Sequence, residues 1–547
     1  MAYLSFVRLS LMVSAVMSVI TSVHATEAMR IPANKNATMD IQAMQQNPEV
    51  HQLSRRANGK VNIAYYVNWA IYEGLGFFMP TDIVTDGLTH ILYSFADIDP
   101  ASGHLFLSDE WADEQITFDG DDKSEAGNNL YGCLKQMYKI KLANRNIKVL
   151  LSVGGYTWSQ DGHFAFVTND GARAQFVKDA VQLIEDYGFD GIDLDFEYPA
   201  STAEGSGYGK LFSELRTAFD NLQKQKGDAE PYQLTVAIGA GEAGYQYLDI
   251  PTMDAALSYW NLMAYDYAGA WLDFTANQAN VNPDGINSVS TAQALDHYFG
   301  TGATKDKMVL GIPLYGRGFE NTDGLGKSYS GVGAGTTQEG VWSYENLPFA
   351  GAQIFEDSKS ISSYSYDSAK RELISYDTPN IVKQKAQYVI DQGLAGTMFW
   401  ELSTDKVGAD SLVAAAKSAI GGLDTTQNHI NFPNSKWDNI KNNLGQGAAP
   451  PATTAPPATT APPATTAPPA TTAPPATTAP PATTTAGNGA CTEGAIRCDS
   501  ESTWSMCGSG YWQSMGAVPG GMVCRDGQIV VARKRDVHHR SWASRQH

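Results

Sequence analysis

Asp190-Gly-Ile-Asp-Leu-Asp-Phe-Glu-Tyr-Pro199 is the stretch whose reading decides the fold. Between Ile192 and Phe196 apolar and acidic residues alternate, the pattern of a β-strand with two unlike faces. Side chains two apart point the same way, so Asp193, Asp195 and Glu197 share one face. Ile192, Leu194 and Phe196 take the other face, against a helix layer. Neighbours in the acidic row lie about 6.6 Å apart, which at an effective dielectric of about 20 means repulsion of about 2.5 kcal/mol. At least one member is therefore expected to hold its proton near neutral pH. A protonated carboxyl beside ionised ones suits cleavage of a glycosidic bond. Three acids also suit a Mg2+ or Ca2+ site, and a bare D-x-D is common in loops.

Outward from this strand, β-rich apolar runs alternate with amphipathic stretches. The runs at 61–67, 89–95, 147–153, 191–197, 233–238, 260–265, 308–314 and 396–400 read as strands. Between them lie helical patterns such as 172–187, with Phe176, Ala180, Leu183 and Ile184 on one face. Eight strands interleaved with helices predict an α/β fold, a (β/α)8 TIM barrel. A doubly wound open sheet is disfavoured because no phosphate-binding glycine-rich turn follows the first strand. The acidic row lies on the fourth strand with Glu197 at its C-terminal end, where barrel active sites are built. About eighty residues separate strands seven and eight, against roughly thirty for an ordinary step, which predicts an inserted α+β subdomain near 315–392.

The 547-residue chain carries a net charge of −20, which argues against nucleic acid or anionic membranes as partners. Residues 1–25 read as a secretory signal peptide, with Arg8, an apolar run over 9–20 and Val23-His-Ala25. Residues 26–56 end in Arg55-Arg56 and read as a prosegment removed at that pair; an ordinary flexible arm is the alternative. A catalytic domain is expected over 57–445, with a Pro/Thr/Ala-repeat linker at 446–489. Its six-residue repeat, over 448–486, has no apolar face to bury and favours extended polyproline II, reaching about 120 Å at ~3.1 Å per residue. A small terminal module, 490–531, holds Cys491, Cys498, Cys507 and Cys524, a two-disulfide framework with pairing left open, and a basic tail follows at 532–547. Cys133 is left over and fits a buried thiol. No His/Cys spacing suggests a metal, and no cofactor is implied. A secreted monomer is the expectation.

Asp190-x-x-Asp193-x-Asp195-x-Glu197 resembles the signature of glycoside hydrolase family 18, the chitinase family. Ser152-Val-Gly-Gly155, Met263-Ala-Tyr265-Asp266, Gly311-Ile-Pro-Leu-Tyr-Gly-Arg317 and Met398-Phe-Trp400-Glu resemble that family's motifs near strands three, six, seven and eight. The resemblance implies hydrolysis of chitin or N-acetylglucosamine oligomers, with the substrate's own acetamido oxygen as nucleophile. That suits the geometry, because carboxylates from one strand lie on one side of a bound sugar, whereas an ordinary retaining pair flanks the bond. It implies Glu197 as acid then base, Asp195 holding the acetamido N–H, and Asp193 sharing a proton with Asp195, supported from below by Ser152 and Tyr66. Tyr265 would bond the acetamido carbonyl, Asp266 and Arg317 would fix the sugar, and Trp400 would be its floor. Met263 and Gly155 belong to the same motifs, and Trp69, Trp271 and Trp342 are further stacking surfaces, although each aromatic alone also fits a core. Many relatives carry Trp-Thr-Tyr after the second glycine; here the order is Tyr156-Thr-Trp158, and either ring fits the sugar. The terminal module, with Trp504, Tyr511 and Trp512, resembles carbohydrate-binding module family 19, which implies chitin binding; these rings also fit a small core. A chitin-binding lectin on the same barrel and an endo-β-N-acetylglucosaminidase acting on glycoproteins are the rival readings.

Overall fold

The computed structural model describes residues 59–447 and, near the C-terminus, 496–498, 503–508, 511–517, 522–525 and 528–531. The expected signal peptide, prosegment, tail and nearly all of the linker lie outside the described residues, as does Cys491. The chain divides into two units, Met1–Ala455 and Pro456–His547.

In the first unit the strands are β1 Val61–Val67, β2 His90–Ile98, β3 Leu105–Leu107, β4 Lys148–Gly154, β5 Gly191–Asp195, β6 Gln233–Gly239, β7 Tyr259–Met263 and β8 Met308–Pro313. Then come β9 Tyr315–Phe319, β10 Val341–Ser343, β11 Gln353–Asp357, β12 Ser362–Asp367, β13 Glu372–Ser375 and β14 Gly396–Trp400. Each of β1, β2, β4 to β8 and β14 pairs in parallel with the next, and β14 pairs back onto β1, closing an eight-stranded barrel. Helices connect the strands because local signals start and stop them. Asp170–Tyr187, for example, begins where the Asn169 side chain accepts from the N–H groups of Gly171 and Ala172, and ends at Gly188 with φ 76°.

Barrel strands are buried on both faces, so alternate residues enter two separate cores. Ile63, Tyr65, Leu92, Leu150, Val309 and Met398 fill the inside. Ala64, Tyr66, Ile91, Leu151, Ile192 and Leu194 meet the helices.

The interval expected to be one α+β piece divides differently. Strands β9 to β13 form a purely antiparallel sheet in the order β10-β9-β13-β12-β11. The helix that follows, Pro379–Gln392, packs on β14 and the helix Leu412–Ile420, within the barrel's outer layer.

Asp190 lies at the end of β5 away from Glu197. Its carboxylate accepts from Val149 N–H at 2.7 Å and His429 N–H at 2.7 Å, and pairs with Lys141 at 2.9 Å. Burial alone would raise this carboxyl; Lys141 and the His429 donors outweigh it and hold the group far below the usual range. Residues 424–429 are thereby fastened under the barrel, with Asp424 on Lys148 at 2.8 Å and Asn428 on the backbone of Lys141 and Ile147.

In the second unit β15 Ile496–Cys498, β16 Thr503–Gly508 and β17 Tyr511–Ala517 form an antiparallel sheet, and β18 Met522–Arg525 pairs with β19 Gln528–Val531. Trp504 is opposite Cys498 and Gly516 in register, Tyr511 opposite Gly508, and Trp512 opposite Cys507.

Candidate active site

The fifth strand ends at Asp195, two residues earlier than the alternation predicts, because its last groups bond outside the ladder. The Asp195 carbonyl accepts from Gly155 N–H at 2.8 Å and from the Ser159 hydroxyl at 3.3 Å. The Glu197 N–H donates to the same hydroxyl at 2.9 Å, and the Gln160 amide donates to the Glu197 carbonyl at 2.6 Å. The short helix Tyr156–Gln160 thus braces the end of β5. Its approach depends on Gly154, at φ 101°, where a Cβ would lie 2.5 Å from the Asp195 carbonyl oxygen.

The three acids of the row have different surroundings. Asp193 is buried below the cleft and accepts four bonds: from Ser152 at 2.7 Å, Tyr65 at 3.0 Å, Thr235 at 2.5 Å and Asn261 at 3.2 Å. Burial pushes its carboxyl up, and these donors oppose the rise. Among the described residues Asp195 has no such donors, and its Oδ1 is buried without a partner. Burial first, then the charges of Glu197 and Asp193, raise it well above the ordinary range. Glu197 is pushed up to about 7 by burial, with Asp266 adding to the rise and the Tyr198 hydroxyl opposing it. Asp195 and Glu197 therefore titrate as a pair that retains a proton near neutral pH.

Above them opens a cleft of about 1010 Å³. Its floor is Trp400, stacked on Phe95 at 5.7 Å between ring centroids and tilted on Tyr65 at 5.2 Å. Tyr265 is buried beside the acids, its hydroxyl 3.8 Å from the Met398 sulfur. Asp266, at φ 59°, accepts from Tyr315 at 2.7 Å and pairs with Arg317 at 2.7 Å. Trp271, half exposed, lies against the Arg317 guanidinium at 5.1 Å. An acid pair sharing a proton, over an aromatic floor and beside a fixed Asp–Arg pair, can protonate a leaving oxygen of a ring-shaped, partly apolar substrate.

The profile of "Glycosyl hydrolases family 18" matches residues 61–405. The chain belongs to that family. Among curated family-18 relatives, Endochitinase 1 of Metarhizium robertsii is 40% identical over 422 residues, covering 76% of this chain and 98% of its own. Chitinase 1 of Aphanocladium album is 38% identical over 445 residues, covering 81% and 100%. Among solved structures, the catalytic domain of chitinase B from Arthrobacter TAD20 superposes with a TM-score of 0.60 at 25% identity, covering 68% of this chain and 99% of that one.

Of the residues the sequence singled out, Trp69, Gly155, Tyr156, Trp158, Asp195, Glu197, Met263, Tyr265, Asp266, Trp271, Arg317 and Trp400 line the family-18 cleft. Ser152 and Asp193 lie beneath it. Two expectations are corrected. Tyr66 does not support Asp193; its hydroxyl donates to the Phe78 carbonyl at 3.1 Å on the outer face of β1, and Tyr65 makes the bond to Asp193. The error is one step of strand parity, which turns a side chain to the opposite face. Trp342 turns away from the cleft for the same reason: its neighbour Val341 lines the cleft, while the indole packs edge-on against Phe349 at 4.9 Å. The proton-sharing contact expected between Asp193 and Asp195 is not among the hydrogen bonds of Asp193, whose partners are the four donors above. The sequence reading missed Tyr65, Phe95, Tyr198, Tyr315, Gln338 and Glu401, which also line the cleft. Tyr315 was within reach, since it is two residues from Arg317 on one strand.

Proposed function

We propose that this chain is a chitinase that hydrolyses β-1,4 linkages between N-acetylglucosamine units with retention of anomeric configuration, assisted by the substrate's acetamido group. The observation that carries the reading is the unlike pair Asp195 and Glu197: both are raised carboxyls, one with an unpartnered buried oxygen, at the lip of a tryptophan-floored cleft. Glu197 donates its proton to the departing glycosidic oxygen and then accepts one from the incoming water. The bond from C1 to that oxygen breaks as the acetamido carbonyl oxygen closes on C1. Asp195 accepts the acetamido N–H with its free Oδ1 and stabilises the cationic ring so formed. Tyr265 steadies the acetamido carbonyl, and Asp266 with Arg317 fixes the sugar at the cleavage point. Asp193, held by four donors, is the fixed charge under Asp195. Relatives agree with this substrate: a mutant of an Ostrinia furnacalis chitinase domain, 27% identical to this chain, was solved with an N-acetylglucosamine oligomer.

Around this centre the antiparallel sheet β9–β13 is proposed as a wall of the cleft, supported by Gln338 and Val341 in its lining. The chain is proposed to be secreted and to act as a monomer, with the terminal module binding chitin. Cys498 being disulfide-bonded supports an exported module. Among the described residues no helix is long and apolar enough to cross a membrane. A silent lectin is disfavoured by the presence of Glu197, and a glycoprotein endoglycosidase by the aromatic terminal module.

The test is the stereochemistry of the first turnover. Products of N-acetylglucosamine pentamer or hexamer, read by proton NMR before mutarotation, should carry the β configuration at the new reducing end; an α product overturns the route. Glu197→Gln should lower kcat by about 10²–10⁴-fold, the usual worth of a positioned general acid, while oligomer binding is retained.

A further inference from the structure

Trp158 lies on the short helix Tyr156–Gln160 and lines the cleft, yet among the described residues its indole makes no hydrogen bond. It packs against the inner core cluster, and two ring contacts orient it. One is the Phe95 ring, edge-on at 6.4 Å and 74°. The other is the imidazole of His163, nearly parallel at 12° with centroids 6.4 Å apart. That imidazole is itself fixed, because His163 Nδ1 lies 2.6 Å from Asp97 Oδ1. Asp97 is on β2, a barrel strand, and the same oxygen accepts the Ile98 N–H at 2.6 Å. The indole is thus flanked by a nearly parallel ring whose orientation is set by a carboxylate on the barrel.

Tyr156, two residues away, lines the same cleft but is 65% exposed, and among the described residues no ring contact holds it. A platform for a pyranose gains from being fixed before the sugar arrives, since ordering a side chain on binding costs affinity. By that criterion Trp158, not Tyr156, is the prepared surface.

We propose that His163 and Asp97 are positioning residues that hold Trp158 as the stacking platform for a sugar of the bound chitin chain. The proposal rests on the chitinase reading of the cleft. It concerns residues one layer behind it, which touch no substrate and which the sequence reading did not single out.

Titration of the full-length Glu197→Gln chain with N-acetylglucosamine hexamer, followed by calorimetry, supplies the test. His163→Ala and Asp97→Ala in that background should each weaken hexamer binding about three- to tenfold, the span of aromatic-pair energies. Asp97→Asn, which still accepts from Nδ1–H, should restore binding. With Trp158→Ala already present, His163→Ala should cause no further loss. In the chain with Glu197 intact, the change should fall on KM rather than kcat. Hexamer binding unchanged by His163→Ala overturns the proposal, as does an equal loss with and without Trp158. A parent chain that binds no hexamer refutes the chitin reading itself, and the proposal falls with it.

Discussion

A carboxyl that keeps its proton in the folded chain leaves two separable marks, one on rate and one on stability, and Glu197 should leave both. In the proposed role of acid it must be protonated, and its carboxyl is raised to about 7 by burial and by Asp266. Turnover should therefore fall along an alkaline limb near pH 7. Asp266→Asn removes a raising charge and should move that limb to lower pH, read from kcat against pH. The stability mark has a definite sign. A carboxyl whose folded pKa lies above its unfolded value adds stability below the unfolded value and loses it as pH rises through the folded one. Glu197→Gln abolishes that titration, so wild type should lose stability relative to the variant between about pH 4.5 and 7. At pH 8 the variant should melt a few degrees higher by calorimetry, on the order of the shift expected for 1 kcal/mol or more. At this scale the sequence was legible where periodicity was clean. Asp193, Asp195 and Glu197 alternate with apolar residues, whereas Tyr65 and Tyr66 sit in the uninterrupted run Val61–Val67, buried on both faces, where no alternation tells inside from outside.

Among the elements, the short helix Tyr156–Gln160 has an influence out of proportion to its five residues. It replaces the ladder at the end of β5: one hydroxyl, Ser159, both donates to the Asp195 carbonyl and accepts the Glu197 N–H. Ser159→Ala leaves that part-buried N–H without its partner, which should cost about 1 kcal/mol in urea unfolding. It also frees the backbone between Asp195 and Glu197, the proposed catalytic pair, so kcat should drop about tenfold or more, as small misplacements of reacting groups do. A loss of stability with kcat intact would mean the brace is only structural. Strand existence and order were readable from apolar runs, and all eight barrel strands fall where those runs lie. Where β5 stops was not, because a serine 36 residues earlier decides it and local pattern carries no trace of such a contact. For the same reason the interval after β8 was legible as strand pieces, while its division into an antiparallel sheet and a barrel helix depends on pairing partners far apart in the chain.

For the molecule as a whole, the question is where the catalytic unit can be cut. The family profile ends at residue 405, but the barrel does not. Asp190 and Lys148 are buried charges whose partners His429 and Asp424 come from the segment beyond it, while Lys141 pairs with Asp190 from within the profile. Asp190 is the first acid of the signature motif, and its place in that motif gave no hint that it serves the end of the barrel opposite the cleft. A chain ending at 405 would leave Lys148 without its buried carboxylate, at about 3–5 kcal/mol for that broken pair, and Asp190 without its His429 donors, and should not fold stably. A chain ending at 447 keeps every described contact of the first unit. Endochitinase 1 of Metarhizium robertsii points the same way: 98% of its length aligns with 76% of this chain, so most of what this chain adds has no counterpart there. The 447-residue chain should therefore hydrolyse soluble N-acetylglucosamine oligomers with kcat/KM within about twofold of full length. Insoluble chitin is a different matter if the terminal module binds it, because a tethered binding module raises the local concentration of catalyst at the surface. There the shortened chain should release soluble sugar about three- to tenfold more slowly at low enzyme concentration, and the deficit should shrink as enzyme is raised toward saturation of the surface. Equal rates on powder at every enzyme concentration would remove chitin binding from the terminal module and leave the barrel's chemistry untouched.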